Sequence, residues 1–145
     1  MKNKIPQTAK LESPHVLVNK PNGKGVLRIL KAMQCSIRGF IFAWRHESAF
    51  RQELIMACVM LPFAFVLSSS IQHLVVLIIS LLFVLFAEII NSAIEALADA
   101  VTLENNALIG RAKDMGSSAV FISLTILTVI WVEAIWRYVT LHQIF

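Results

Sequence analysis

At 145 residues, 57% hydrophobic and only 15% charged, with a mean hydropathy of +0.72, this chain is too apolar to be an ordinary soluble domain. Its formal charge of +4 admits a nucleic acid or an anionic lipid surface as partner. No basic run is interleaved with aromatics as a nucleic-acid surface would require, so nucleic acid is excluded. The two cysteines, Cys35 and Cys58, fall on a surface helix and in an apolar span, where neither a disulfide nor a metal motif is expected. His15, His46, His73 and His142 are scattered, with no ligand spacing.

Residues 1–24 are polar and basic, broken by Pro6, Pro14 and Pro21, and read as a flexible tail able to touch anionic lipid. No apolar run of signal-peptide type follows its lysines, so no cleaved leader is expected. Residues 25–145 read as one membrane domain. Its first element, over about 25–46, is an amphipathic helix. Val26, Ile29, Leu30, Met33, Ile37, Phe40, Ile41 and Trp44 share one face at spacings of three and four, and Arg28, Lys31, Cys35 and Arg38 lie opposite. A wide apolar face, a basic polar face and an aromatic end suit a membrane surface.

No charge occurs over residues 54–87, a run of 34. A bilayer span needs ~20 residues, so the run predicts two membrane helices, over about 54–70 and 71–98, joined at Ser68–His73. Pro62 bends a membrane helix without implying function. A third uncharged run, from Met115 to Val132, predicts a span over about 115–136. Within it Ser123, Thr125 and Thr128 are expected to bond internally. Glu133 and Arg137 are spaced to pair. Trp131, Trp136 and Tyr138 read as an aromatic belt. Ten of the 13 Lys/Arg precede the first span, and Arg111 and Lys113 lie between the second and third. The positive-inside rule then places the N-terminus in the cytoplasm and the C-terminus outside.

The second span ends in Glu88-Ile-Ile-Asn-Ser-Ala-Ile-Glu-Ala-Leu-Ala-Asp99. Glu88, Asn91, Glu95 and Asp99 stand at i, i+3, i+7 and i+11, so they share one helical stripe. Burying such groups unpaired costs several kcal/mol each, and an intramembrane carboxylate is a functional-site hypothesis by default. The bland alternative is a polar seam against another helix or subunit. The stripe runs ~16 Å along the axis, from lipid depth into the cytoplasm. Beyond it a loop is expected over 100–115, with Gly110 allowing close backbone approach or positive φ and with Arg111 and Lys113 able to meet phosphate. Gly116-Ser-Ser-Ala119 then opens the third span with small residues that let helices come close.

Cations beside carboxylates at a membrane boundary fit phosphoryl transfer. That chemistry needs oxygen ligands for a divalent metal, a cation on the phosphates and a base for the acceptor hydroxyl. Glu47 and Glu95 are candidate metal ligands near the surface, Lys113 a phosphate contact, and Glu88 the deeper base.

These residues also carry a resemblance. Glu88-Ile-Ile-Asn-Ser-Ala-Ile-Glu95, then Asp99, then Gly110-Arg-Ala-Lys-Asp114, with Ala43-Trp-x-x-Glu47-x-Ala-Phe-Arg-Gln-Glu53 upstream, closely resembles the prokaryotic diacylglycerol kinase family over roughly Gly25 to Trp136. The resemblance implies a small all-α integral-membrane kinase of the bacterial inner membrane. It would be a homotrimer of subunits with three transmembrane helices and an N-terminal surface helix, transferring the γ-phosphoryl of MgATP to diacylglycerol to give phosphatidic acid. It implies Glu88 as catalytic base, with Asn91 and Asp99 supporting it. Glu47 and Glu95 would hold Mg²⁺ and ATP, and Arg28, Glu104, Lys113 and Asp114 would contact ATP. Ala49, Phe50, Arg51, Gln52, Glu53, Glu88 and Ser117 would line the lipid-substrate site. The chain departs from the commoner family pattern at Cys35, Ile41, Ala100 and Asn105-Asn106. Two rival readings remain: the same chemistry on undecaprenol or another lipid alcohol, and a non-enzymatic membrane protein that uses the carboxylates as a relay.

Overall fold

The structure, a computed structural model, describes residues 25–142. The tail expected over 1–24 and the last residues of the expected 25–145 domain lie outside the described residues. Among the described residues there are four α-helices and no strand: α1 (Val26–His46), α2 (Ser48–Leu67), α3 (Ile71–Val101) and α4 (Ala107–His142). The last three are long and apolar enough to cross a membrane. The described residues fall into two units, 25–35 and 36–142. The first is the opening half of α1, and the second holds everything from Ser36 onward.

In the first unit, Gly25 takes a φ of 63°, a left-handed conformation that suits glycine. Its carbonyl accepts the Arg28 N–H at 3.1 Å, which starts α1. The apolar residues Val26, Ile29, Leu30 and Met33 are exposed.

In the second unit, α1 ends on an elbow fixed by two neighbours in α2. The Arg51 guanidinium donates to the carbonyls of Trp44 (3.0 Å) and Arg45 (3.3 Å), groups that a helix C-terminus leaves unsatisfied. Phe50 is buried, its ring 6.4 Å from that of Phe40. Pro62 sits inside α2, which continues to Leu67.

The turn between α2 and α3 is Ser68–Ser70, three residues shorter than expected. The reason is local capping. Ser70 Oγ accepts the His73 N–H at 3.1 Å, and the Ser69 N–H donates to His73 Nδ1 at 3.2 Å. His73 therefore belongs to the first turn of α3. That helix has 31 residues, ~46 Å at ~1.5 Å per residue. A hydrocarbon core is ~30 Å thick, so one unbroken helix carries both the apolar run and the polar stripe beyond it.

The loop expected over 100–115 is only residues 102–106. Thr102 Oγ1 accepts the Glu104 N–H at 3.0 Å, and Asn106 Oδ1 caps α4 by accepting from Leu108 (2.9 Å) and Ile109 (3.3 Å). Arg111 and Lys113 are thus helical, not in a loop. Gly110 lies inside α4 with neither a positive φ nor a close neighbour.

The core of this unit joins Ala57 and Ala64 of α2, Leu77, Leu81 and Val84 of α3, and Leu127, Trp131 and Ala134 of α4. Lipid tails are as apolar as these side chains, so close packing and interhelical hydrogen bonds hold the helices together. The alanines provide the closeness. The polar link is Trp131, whose indole N–H donates to Ser80 Oγ at 3.2 Å, while Ser80 donates to the Leu77 carbonyl at 2.7 Å. Trp131 shares a face with Leu127 and Ala134 and is 6% exposed. It is a core residue rather than part of a belt, whereas Trp136 is exposed. Ser123, Thr125 and Thr128 bond back to the carbonyls of Val120, Phe121 and Leu124. Glu133 accepts from Arg137 Nε at 2.8 Å and lies 3.4 Å from His73 Nε2. Outward-facing Phe63, Ile79 and Phe121 suit contact with lipid.

Candidate active site

One cavity gathers much of the candidate chemistry. It encloses about 250 Å³ and is lined by Glu47, Ser48, Ala49, Glu88, Asn91, Glu95, Ser117 and Val120. Each element supplies part of it for a local reason. Glu47 occupies the N-cap position of α2, yet its carboxylate makes no capping bond and so is left for the cavity. Glu88, Asn91 and Glu95 come from successive turns of α3, and Ser117 and Val120 from one face of α4.

Burial falls along the stripe. Glu88 is 3% exposed and Asn91 8%, Glu95 is half-buried, and Asp99 is exposed. A single chain thus already covers Glu88 and Asn91. Asn91 Nδ2 donates to Glu95 Oε1 at 3.1 Å, which orients that carboxylate. The other amide atom, Oδ1, is buried and accepts no hydrogen bond. Asp99 belongs to a separate contact, an ion pair of 2.5 Å with Lys113 Nζ that ties the end of α3 to the start of α4.

The remaining candidates lie elsewhere. Phe50 and Arg51 are engaged at the α1–α2 elbow, and Gln52 is exposed. Glu53 does not line the cavity, and its Oε2 is buried without a hydrogen-bond partner. Glu104 is exposed in the 102–106 loop, and Asp114 is exposed on α4, where its carbonyl accepts from Ser118 Oγ at 2.8 Å. Arg28 is exposed on the first turn of α1, in the other unit. Two lining residues escaped the sequence reading. Val120 lies one turn beyond Ser117, so helical spacing could have found it, whereas Ser48 is marked only by its place between Glu47 and Ala49. A second crevice, about 640 Å³, is lined by Phe40, Ile41, Trp44, Arg45, Phe50, Leu54 and Leu85.

Among the described residues no group of three or more His, Cys, Asp or Glu side chains is placed to hold a metal. Glu47 and Glu95 in one cavity still fit Mg²⁺, which commonly takes one or two carboxylates and fills its shell with water and substrate phosphate.

A bundle of three membrane-length helices with a buried carboxylate and polar partners in a cavity defines a multi-span membrane protein with a built polar site. The profile of the prokaryotic diacylglycerol kinases matches residues 34–135. The chain is 46% identical over 107 residues to the diacylglycerol kinase of Pseudomonas aeruginosa, an alignment covering 74% of this chain and 87% of that protein. It is 40% identical over 117 residues to the diacylglycerol kinase of Escherichia coli, covering 81% and 96%. The corresponding enzyme of Haemophilus influenzae is 36% identical over 107 residues, covering 74% and 91%. This chain belongs to the prokaryotic diacylglycerol kinase family.

Proposed function

We propose that this protein is a diacylglycerol kinase that phosphorylates its lipid with ATP at the cytoplasmic face of the bacterial inner membrane. The observation that carries the reading is the single cavity shared by Glu47, Glu88, Asn91 and Glu95. Glu88 is the catalytic base. Its depth on α3 lets a lipid hydroxyl reach it, and it takes the hydroxyl proton as the oxygen attacks the γ-phosphorus. The bond from that phosphorus to the β,γ-bridging oxygen breaks, and ADP leaves with the electron pair. Asn91 keeps the Glu95 carboxylate aimed through their hydrogen bond. Glu47 and Glu95 hold Mg²⁺, which when bound neutralises phosphate charge. Lys113 spends one of its three ammonium donors on Asp99, which leaves two for phosphate oxygens. The family resemblance adds Arg28, Glu104 and Asp114 as nucleotide contacts. Ala49 and Ser117 border the lipid hydroxyl, and Phe50, Arg51, Gln52 and Glu53 form the lipid side of the site. The apolar crevice lined by Phe40, Trp44, Phe50, Leu54 and Leu85 offers an acyl chain a berth.

The apolar face of α1 lies on the membrane. The homotrimer follows from the resemblance and does not rest on burial of Glu88 and Asn91, which one chain achieves alone. Phosphotransfer by purified protein to a panel of lipid alcohols tests the reading. Diacylglycerol should be the preferred acceptor. Preference for undecaprenol would establish the alternative substrate, and no transfer to any acceptor would overturn the kinase reading.

A further inference from the structure

Gly116, on the third turn of α4, is buried against α3. A Cβ built there would stand 2.5 Å from Asn91 Oδ1, 3.5 Å from Asn91 Cγ and 3.6 Å from Ile94 Cδ1. The first distance is shorter than real Cβ contacts allow, so any side chain at this position forces Asn91 to move. At Gly39 and Gly110 an added Cβ would meet nothing within 4 Å. The collision therefore reflects the fit of α4 against this one amide.

Asn91 has little freedom to yield. It is 8% exposed, and its Nδ2 is committed to Glu95 Oε1. Turning the amide over would set its oxygen against a carboxylate oxygen, so Glu95 fixes which end faces Gly116. In glycine the direction of the missing Cβ carries an Hα. The buried Oδ1, which accepts no conventional hydrogen bond, thus rests against a Cα–H group, a weak contact that recurs at helix interfaces. The amide is planar, so displacing Oδ1 also swings Nδ2 away from Glu95.

We propose that Gly116 is a positioning residue for nucleotide binding: its bare Cα sets the Asn91 amide, which in turn aims the Glu95 carboxylate. The inference rests on the reading of Glu95 as a ligand of the metal–nucleotide complex. Partners that orient a metal ligand typically change affinity 10- to 100-fold when removed.

The test is a double-mutant cycle read by equilibrium binding of a non-hydrolysable ATP analogue with Mg²⁺ to full-length, folded oligomer in detergent. Glu95→Gln serves as control. Gly116→Ala and Asn91→Ala should each weaken binding roughly 10- to 100-fold. The double variant should bind no worse than Asn91→Ala, because the glycine acts only through the amide. Additive losses would make Gly116 a packing residue and overturn the proposal. Should Gly116→Ala fail to fold, Asn91→Ala alone still decides: unchanged affinity overturns the proposal. If Glu95→Gln binds normally, the metal-ligand reading itself fails. If only Glu95→Gln binds poorly, the reading stands and the positioning role falls.

Discussion

Glu88→Gln is the sharpest perturbation of the site. Glutamine keeps the size and hydrogen-bonding shape of the side chain but cannot take a proton from an acceptor hydroxyl. General-base catalysis contributes ~10²- to 10⁴-fold, and tenfold corresponds to ~1.36 kcal/mol. The barrier should therefore rise by about 2.7–5.4 kcal/mol, seen as a matching fall in kcat. Base and nucleotide ligand are separable, because Glu95 lies two turns away, ~10 Å along α3. Affinity for a non-hydrolysable ATP analogue with Mg²⁺ should stay within a few-fold of wild type, since the base matters in the transition state and not in nucleotide binding. Stability should not fall either, because a neutral amide is cheaper to bury than an ionised carboxylate. The assay pairs steady-state phosphotransfer in mixed micelles with calorimetric binding and thermal unfolding of the same preparations. Retention of more than about a tenth of kcat would refute the base assignment. A large loss of analogue binding would refute the division of labour along the stripe.

Two further predictions concern the bundle. Ser80→Ala removes the acceptor of the buried Trp131 indole and should lower unfolding free energy in detergent by about 0.5–1.5 kcal/mol; Ser80→Thr, which keeps a hydroxyl, should lower it less. Topology is tested by cysteine accessibility, in a background carrying Cys35→Ser and Cys58→Ser. A membrane-impermeant thiol reagent should modify His142→Cys from outside but not Lys20→Cys, and the reverse pattern would invert the orientation.

Much of this architecture is legible because lipid simplifies the rules. An uncharged run of 34 residues must form hydrogen-bonded helix, and the spacing of Glu88, Asn91 and Glu95 puts them on one face whatever they pack against. The misread features depend on partners that periodicity does not name. The 100–115 stretch looked like a loop because it is polar, but Asn106 caps α4 and draws Arg111 and Lys113 into the helix. Trp131 and Trp136 have similar surroundings in sequence. Trp131 shares the core face of α4 with Leu127 and Ala134 and meets Ser80 on α3, whereas Trp136 is exposed. The small-residue run at Gly116 announced a close approach without saying to what, and the structure shows the neighbour to be the amide that orients Glu95. The same residue type at Gly110 meets no neighbour at all. Composition can thus mark where helices come close, but the chemistry of that closeness depends on the register between α3 and α4. That register is set by the packing of Leu77, Leu81, Val84, Leu127 and Trp131 some distance along the bundle. Substitutions of these core residues, none of which lines the cavity, should reach the site by shifting Gly116 against Asn91.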